Sequence, residues 1–535
     1  MIRQSLATLF AAVLLFAQNP TADIQQKIRD EATKNSAVME TMHYLSDVYG
    51  PRLTGSPHFE AAAKWAQAQF TSWGLQNAHL EPWDFGHPGW ENERIAVYML
   101  APSRETLVAR ALAWTPSTKG RVRGSVMRLP YKQLRSQEEI DAYLAEWKGK
   151  VAGKIVLTGP WNNLSVDFNP RPKRLADAEV KRRFDPANPQ PPGPKPPAEA
   201  KPATGTPPKT RFEEQLAEFL VKGKALIQIT SSPLPHGLIR AFNNRSFDVT
   251  KALPTAVIRH EDFGRIQRLL DHQQAVQLEV EIVNKTYPAG KTAYNVVAEI
   301  PGSDKKDELV MLGGHLDSWH SATGATDNGI GCAMMMEAVR IIEALKLQPH
   351  RTIRIALWSG EEEGLLGSKA YVKEHFGTFE QPGPEAAHLV AYFNIDSGTG
   401  RPRGMSVFGP PAAAAVLRAI LEPFQDLGVA GAIATRSRAF GGSDHTSFTA
   451  AGWPGIGIGQ DPIEYFGQTW HTNVDTYERI VPEDAQKAAI VIADAVYELA
   501  SRAERLPQFT KADMPEPPKP PATTPPAKPT PGSNQ

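Results

Sequence analysis

Runs of apolar residues alternate with helical patterns in the C-terminal half of the chain. Four short runs are apolar enough for buried strands, at 309–312, 352–358, 389–395 and 454–459. After the first run, apolar residues recur at the spacing of a helix: Cys332, Met335, Met336, Val339 and Ile342. This stripe is typical of a helix that packs on a core. Strands that alternate with long helices predict a three-layer αβα domain, with a mostly parallel central sheet covered on both faces.

The pattern in the middle of the chain is different and favours a small β-rich module over about 116–286. Its strand-like runs lie at 153–159, 225–231, 254–260 and 276–283, with one helical pattern at 211–222. Two proline-rich stretches, at about 185–209 and in the tail 509–535, offer almost no apolar surface to bury, so we expect them to be a mobile insertion and a disordered tail. The predicted organisation is 1–22 signal peptide, 23–115 first part of the αβα domain, 116–286 inserted module, 287–508 main part of the αβα domain, and 509–535 tail.

The first residues of the chain predict export. Arg3 is followed by a mostly apolar run from Leu6 to Phe16, which fits a secretory signal and is too short for a membrane span. An uncleaved anchor is the alternative, and the cleavage point is left open. We therefore expect a secreted or periplasmic protein with no stable membrane insertion once the signal is removed.

Charge and cysteine content narrow the possible partners. The 535 residues carry 58 Lys plus Arg and 58 Asp plus Glu, so no overall basic field attracts nucleic acid, and we expect no nucleic-acid partner. The single cysteine, Cys332, excludes an intrachain disulfide and a thiolate-rich metal site. A bound metal would have to use His, Asp and Glu.

Ligand-type side chains follow each of the buried strands. These residues are His315, Asp317, Asp327, Glu361, Glu362, Asp396 and His471. Most have a structural explanation when taken alone, such as a capped turn for His315 and Asp317, a helix N-cap for Asp327 or a solvated acidic loop for the glutamates. Asp396 is the exception, because an uncompensated charge directly after an apolar strand is costly. Because ligands bind beyond the carboxyl ends of strands in open α/β sheets, their recurrence there favours a metal site with oxygen and nitrogen ligands. The charges of Asp327, Glu362, Asp396 and one hydroxide would balance two Zn²⁺ ions.

These residues lie in motifs that resemble the secreted co-catalytic di-zinc exopeptidases, which include bacterial leucyl-type aminopeptidases, glutamate carboxypeptidase and plasma glutamate carboxypeptidase. The motifs occur in the family's order: GPRLTGSPHFEAAAKWAQAQF (50–70), HLD, TDNGIG, EEEGLLGS, NID and HTNVDT. The resemblance implies that His315 and Asp396 bind one zinc, that Glu362 and His471 bind the other, and that Asp327 bridges them.

The resemblance also assigns the catalytic groups. Asp317 would orient His315, and Glu361 would act as general base and then as general acid on a water shared by the zinc ions. It implies a cis peptide bond between Asp327 and Asn328, and it makes the region 116–286 similar to a protease-associated domain. The oxyanion-stabilising tyrosine of several relatives is replaced here by Trp470, so either Trp470 or Tyr465 would have to donate to the oxyanion.

The predicted function is hydrolysis of peptide bonds at chain ends, as an aminopeptidase or dipeptidase. The alternatives are a carboxypeptidase of the glutamate carboxypeptidase type, a glutaminyl-cyclase-like acyltransferase, and a binding protein on an inactive peptidase scaffold. Peptides are the expected partners, and the sequence carries no signal of oligomeric state. Three other polar positions have structural interpretations: His320 as a loop histidine, Glu363 as a solvated side chain, and the pair Asp444 and His445 as either pocket-lining or loop-fixing residues.

Overall fold

A computed structural model describes residues 20–517, apart from 135, 162–163, 165, 167, 171 and 188–208. Most of the predicted signal peptide, nearly all of the proline-rich insertion and the tail from 518 onward lie outside the described residues. No described helix is both long enough and apolar enough to cross a membrane.

The described residues form two sheets of eight strands each. The strands, in chain order, are β1 (Gln76–Asp84), β2 (Gly89–Ala101), β3 (Glu105–Leu107), β4 (Ala109–Ala111), β5 (Val122–Arg128), β6 (Ile155–Thr158), β7 (Ile227–Ser232), β8 (Thr255–Arg259), β9 (Gln277–Tyr287), β10 (Thr292–Ile300), β11 (Lys305–His315), β12 (Arg351–Trp358), β13 (Leu389–Ile395), β14 (Pro402–Phe408), β15 (Ala432–Thr435) and β16 (Gly455–Gln460).

Helices lie between these strands and at both ends of the described chain. They are α1 (Pro20–Lys34), α2 (Val38–Met42), α3 (Pro57–Trp73), α4 (Gln137–Trp147), α5 (Asp177–Arg183), α6 (Lys209–Lys222), α7 (His260–Asp271), α8 (Ile330–Ala344), α9 (Leu366–Tyr371), α10 (Pro411–Leu421), α11 (His445–Ala451) and α12 (Pro482–Ser501).

The first sheet has the order β1-β10-β12-β11-β13-β16-β14-β15. Its centre, from β12 through β11 and β13 to β16, is parallel, whereas β1, β10 and β14 introduce antiparallel pairings. Helices α1, α2, α3, α8, α10 and α12 share a core with one face, and α9 and α11 pack on the other. The three-layer αβα fold predicted from the pattern is confirmed, with a sheet that is parallel at its centre and mixed at its edges.

Burial in α8 and in the central strands explains the continuous apolar runs of the sequence. The residues of α8 from Ile330 to Val339 are all buried, and Cys332 among them is fully enclosed, as the core interpretation predicted. Since helices cover both faces of the sheet, strands such as β13 bury every residue from Leu389 to Ile395 and need no polar face. The apolar pattern therefore marks the central strands correctly.

The second sheet has the order β3-β2-β9-β5-β6-β7-β8-β4 and contains each strand-like run predicted for the β-rich module. It also takes in β2, β3 and β4, which precede residue 116, so the sheet itself begins at Gly89. Its core includes Trp90 and Trp114. The same core also contains Ala293 of β10 and Trp319 after β11, and both of these strands belong to the first sheet. The two sheets therefore share buried contacts. The predicted boundary of the inserted module at residue 116 stays a prediction.

Candidate active site

The five side chains predicted as metal ligands lie together at the carboxyl edge of the first sheet. His315 is the last residue of β11, Glu362 lies in the turn after β12, and Asp396 directly follows β13. Asp327 lies in the helical turn Ala325–Gly329 before α8, and His471 follows a similar turn after β16. Parallel strands end at the same edge, and this brings together residues that are far apart in sequence.

Asp327 faces both histidines with different oxygen atoms. Its Oδ1 lies 3.4 Å from His315 Nε2, and its Oδ2 lies 3.2 Å from His471 Nε2. His315 Nε2 also lies 3.5 Å from Asp396 Oδ1, and His471 Nε2 lies 2.9 Å from Glu362 Oε2. The side chains thus form two adjacent groups, His315 with Asp396 and His471 with Glu362, with one carboxylate oxygen of Asp327 directed at each.

The chemistry of this cluster fits divalent cations. Ligand atoms of His315, Asp327 and Glu362 lie within 4.8 Å of one another, and so do those of His315, Glu361 and Asp396. Among the described residues, the buried atoms His315 Nε2, Asp327 Oδ2 and Glu362 Oε1 have no hydrogen-bond partner. Burial raises the pKa of Glu361 and of Glu362 well above the usual glutamate range. Carboxylates held this close repel one another unless cations compensate them, so the donor set suits two Zn²⁺ ions.

A second set of contacts orients the ligands. His315 Nδ1 donates to the main-chain carbonyl of Asp317 over 3.0 Å, whereas the Asp317 carboxylate is 3.7 Å away. That carboxylate instead accepts the main-chain N–H groups of Glu361, at 3.3 Å, and of Glu362, at 3.2 Å. The sequence analysis expected the Asp317 carboxylate to accept the hydrogen bond from the His315 ring, but the main-chain carbonyl of Asp317 accepts it. The Asp317 carboxylate instead positions Glu361 and Glu362.

Asp475 is a supporting residue that the sequence analysis missed. Its carboxylate accepts the main-chain N–H groups of Thr326, at 2.6 Å, and Asp327, at 3.1 Å, and so holds the turn that carries Asp327. It is the single acidic residue of the HTNVDT motif, and this position was the available signal. The peptide bond between Asp327 and Asn328 is cis, as predicted.

The two candidates for oxyanion stabilisation have different surroundings. The Tyr465 hydroxyl is in the cluster, where it donates to Asp396 Oδ1 over 3.0 Å. The Trp470 ring stacks on the His471 ring with centroids 4.1 Å apart, and the Arg240 guanidinium lies over the same indole. A hydroxyl therefore contacts a predicted zinc ligand directly, whereas the indole covers the outer side of a histidine.

The remaining polar positions differ in outcome. His320 contacts the Ala111 carbonyl over 2.7 Å, burial lowers its pKa to about 4, and neither group of potential metal ligands among the described residues includes it. The prediction of a solvated Glu363 is wrong, because both of its carboxylate oxygens are buried and burial raises its pKa well above the usual range. Asp444 is fully buried, and the ring of His445 contacts Asn394 over 3.3 Å.

Comparison with known families identifies this arrangement. Residues 295–496, which run from β10 to α12 and include every predicted ligand, match Peptidase family M28. This segment of the chain is similar to the M28 peptidases. The resemblance predicted from the motifs is confirmed, and the chain is a peptidase.

Relatives extend the likeness beyond the matched segment. Carboxypeptidase Q of Mus musculus is 28% identical over 473 residues, which cover 88% of this chain and 87% of the relative. The solved structure of a peptidase M28 precursor from Shewanella amazonensis is 26% identical with a TM-score of 0.63, and the match covers 92% of this chain and 99% of that one. A zinc aminopeptidase from Bacillus subtilis, 18% identical with a TM-score of 0.54 over 89% and 96% of the chains, shares the fold.

Proposed function

We propose that the chain is an exported zinc-dependent exopeptidase that hydrolyses peptide bonds at chain ends. The observation that carries this proposal is the placement of Asp327 between two histidine–carboxylate pairs, because a bridging carboxylate is what two neighbouring metal ions require. His315 and Asp396 would hold one zinc, and Glu362 and His471 the other. Bound there, the two zinc ions would supply Lewis acidity to a scissile carbonyl and lower the pKa of an attacking water.

Glu361 is the proposed proton carrier. Its main chain is held by Asp317, and a carboxylate oxygen of Glu361 lies within 4.8 Å of ligand atoms of His315 and Asp396. A free carboxylate at that place accepts the proton of the attacking water and later delivers it to the leaving amine nitrogen. Glu362, its neighbour, contacts His471 and therefore takes the role of a ligand.

Tyr465 is the proposed oxyanion donor. Its hydroxyl is buried beside Asp396 and can turn toward an oxygen that gains negative charge, whereas the indole of Trp470 is engaged with His471 and Arg240. A donor that is already ordered costs no reorganisation when that charge appears.

Dipeptides are the substrates that we favour. The likeness to Carboxypeptidase Q covers nearly the whole of both chains, whereas the structural likeness to a zinc aminopeptidase concerns the fold. A dipeptide presents both a free amine and a free carboxylate to one site. The cyclase and binding-protein alternatives are not favoured, because all five proposed ligands and a separate proposed base are present in the cluster.

The test is removal and return of metal with a substrate panel. Chelation should abolish hydrolysis of a free dipeptide, and about two Zn²⁺ per chain should restore it. The panel contains the free dipeptide, its N-acetylated form and its C-amidated form, and Asp327→Asn serves as the metal-site control. Full activity after complete chelation, or full restoration by a single zinc, would contradict the proposal.

A further inference from the structure

The second sheet contributes a wall to the active site through the segment after β7. The main-chain N–H of Ile239 donates to Asn473 Oδ1 over 2.6 Å, and Asn473 N–H donates back to the Ile239 carbonyl over 2.9 Å. The Phe242 ring contacts the His471 ring edge-on with centroids 5.5 Å apart. This segment is therefore joined to the loop that carries a proposed zinc ligand, and Arg240 lies within it.

Arg240 extends over the active-site loop. Its guanidinium carbon lies 4.7 Å from the centroid of the Trp470 ring, and its Nη2 donates to the Trp470 carbonyl over 3.2 Å. The Trp470 ring stacks in turn on His471, whose Nε2 contacts Glu362. A cation–π contact and one hydrogen bond thus hold the positive charge of Arg240 next to the group formed by His471 and Glu362.

The donors of this guanidinium are not fully used. Among the described residues, its Nε is buried and has no hydrogen-bond partner. Arg259 in the same region, by contrast, donates from two nitrogens to Asp262. Arg52, the buried arginine behind Asp327, directs its donors to main-chain carbonyls. A partly buried guanidinium with a free donor is costly unless another group completes its hydrogen bonds.

We propose that Arg240 binds a carboxylate carried by the leaving residue of the substrate, on the C-terminal side of the scissile bond. The planar guanidinium matches a carboxylate, which can accept two parallel hydrogen bonds. In a dipeptide the terminal carboxylate is only a few bonds from the scissile carbonyl. When the scissile carbonyl lies at the metal centre, the terminal carboxylate therefore lies near the rim of the site. This inference rests on the proposed exopeptidase function and assigns the residue that reads the leaving end.

The carboxylate has two sources, and three substrates separate them. Leucyl-alanine carries a terminal carboxylate, leucyl-alaninamide carries none, and leucyl-glutamic acid α-amide carries only a side-chain carboxylate. We measure kcat and KM for each with the full chain loaded with zinc. Wild type should cleave leucyl-alanine at least about tenfold more efficiently than leucyl-alaninamide, because a site built to pair with a charged group rejects an analogue without it. Rescue by the glutamyl side chain would assign Arg240 to that source.

Two substitutions and a matched control test the residue itself. Arg240→Gln should raise KM for leucyl-alanine and lower its kcat/KM much more than that of leucyl-alaninamide, so that the preference disappears. Arg240→Lys should keep part of the preference, because lysine retains the charge and loses the paired donors. Arg245→Gln removes a positive charge from the same region at a half-exposed side chain and should preserve the preference.

The outcomes separate the two proposals. If wild type hydrolyses none of the three peptides, the proposed function fails. If wild type hydrolyses leucyl-alanine and leucyl-alaninamide equally well, or if Arg240→Gln weakens both to the same extent, the function stands and the role of Arg240 is overturned. An equal effect of Arg245→Gln would also overturn it, since that result would reflect general charge. Melting temperature and zinc content show whether each variant is folded. If Arg240→Gln is unfolded, the role of Arg240 is decided by Arg240→Lys and by the comparison of substrates with wild type.

Discussion

Asp475 Oδ2 lies 3.1 Å from the main-chain nitrogen of Asp327, so one buried carboxylate holds the residue that faces both active-site histidines. Asp475 also accepts the N–H of Thr326 and thereby fixes two successive peptide groups. We expect Asp475→Ala to weaken zinc binding by about 10- to 100-fold, the usual effect of losing an outer-shell partner.

The measurement for Asp475 is zinc retained per chain during dialysis against graded chelator, together with dipeptide turnover at saturating zinc. Asp475→Asn is the matched variant, because its amide oxygen can still accept one of the two hydrogen bonds and should give a smaller loss. Unchanged zinc affinity in Asp475→Ala would show that the turn holds its shape without this carboxylate.

Glu361 and Glu362 are adjacent, yet we expect their substitutions to have different effects. Glu361→Gln should retain about two zinc ions per chain while kcat falls by at least about 10²-fold, as is typical for the loss of a general base. Glu362→Gln should release one zinc, because Glu362 contacts His471 at 2.9 Å.

Metal content and dipeptide turnover, measured on both glutamate variants after the same dialysis, check this division. Equal zinc loss in the two variants would contradict it, and full activity of Glu361→Gln would remove Glu361 from the proton transfer. A carboxylate oxygen of Glu361 lies within 4.8 Å of ligand atoms of His315 and Asp396, so Glu361 is close enough to bind metal itself. Metal content therefore distinguishes a ligand role of Glu361 from a role in proton transfer.

The Tyr465 hydroxyl offers a test of oxyanion stabilisation. Tyr465→Phe removes the donor that lies 3.0 Å from Asp396 Oδ1 and keeps the ring. We expect kcat to fall by about 10²- to 10³-fold with both zinc ions retained and KM little changed, because the interaction is strongest in the transition state. Trp470→Phe keeps an aromatic ring on His471 and should reduce kcat much less. The reverse order of the two variants would assign the oxyanion to the indole.

His375 predicts a pH-dependent contribution to stability away from the active site. Burial opposes its charge, but hydrogen bonds to Glu385 and Glu81 raise its pKa to about 9. A histidine whose pKa is higher in the folded state stabilises fully below about pH 6.5, and this contribution is lost as the pH rises to about 9. The stabilisation at low pH is about 1–3 kcal/mol.

The corresponding experiment follows thermal unfolding of wild type and His375→Gln from pH 6 to pH 10. The variant should unfold at a lower temperature at pH 6, and the difference should shrink toward pH 10. His350→Gln is the control, because His350 makes its contact with Asp304 at a largely exposed position. A difference that stays constant over this range would rule out the protonated His375 as its cause.

The sequence by itself determined the αβα architecture and the residues that gather at the candidate metal site. Apolar runs such as 389–395 predict buried central strands because helices cover both faces of the sheet, and each run is followed by His, Asp or Glu at its carboxyl end. The β-rich pattern between 153 and 283 likewise predicted strands that the second sheet contains. These features depend on local periodicity and residue type, which a sequence states directly.

Only the tertiary structure decided which groups meet. The two oxygens of Asp327 face different histidines, Asp475 reaches a turn 148 residues before it, and Arg240 lies against Trp470, 230 residues away. The burial of Glu363 also escaped prediction, because a run of three glutamates has the composition of a solvated loop. Periodicity reports how deeply a residue is buried and on which face, but not which distant side chain it contacts, and those contacts arise only when the strand ends and the two sheets pack together.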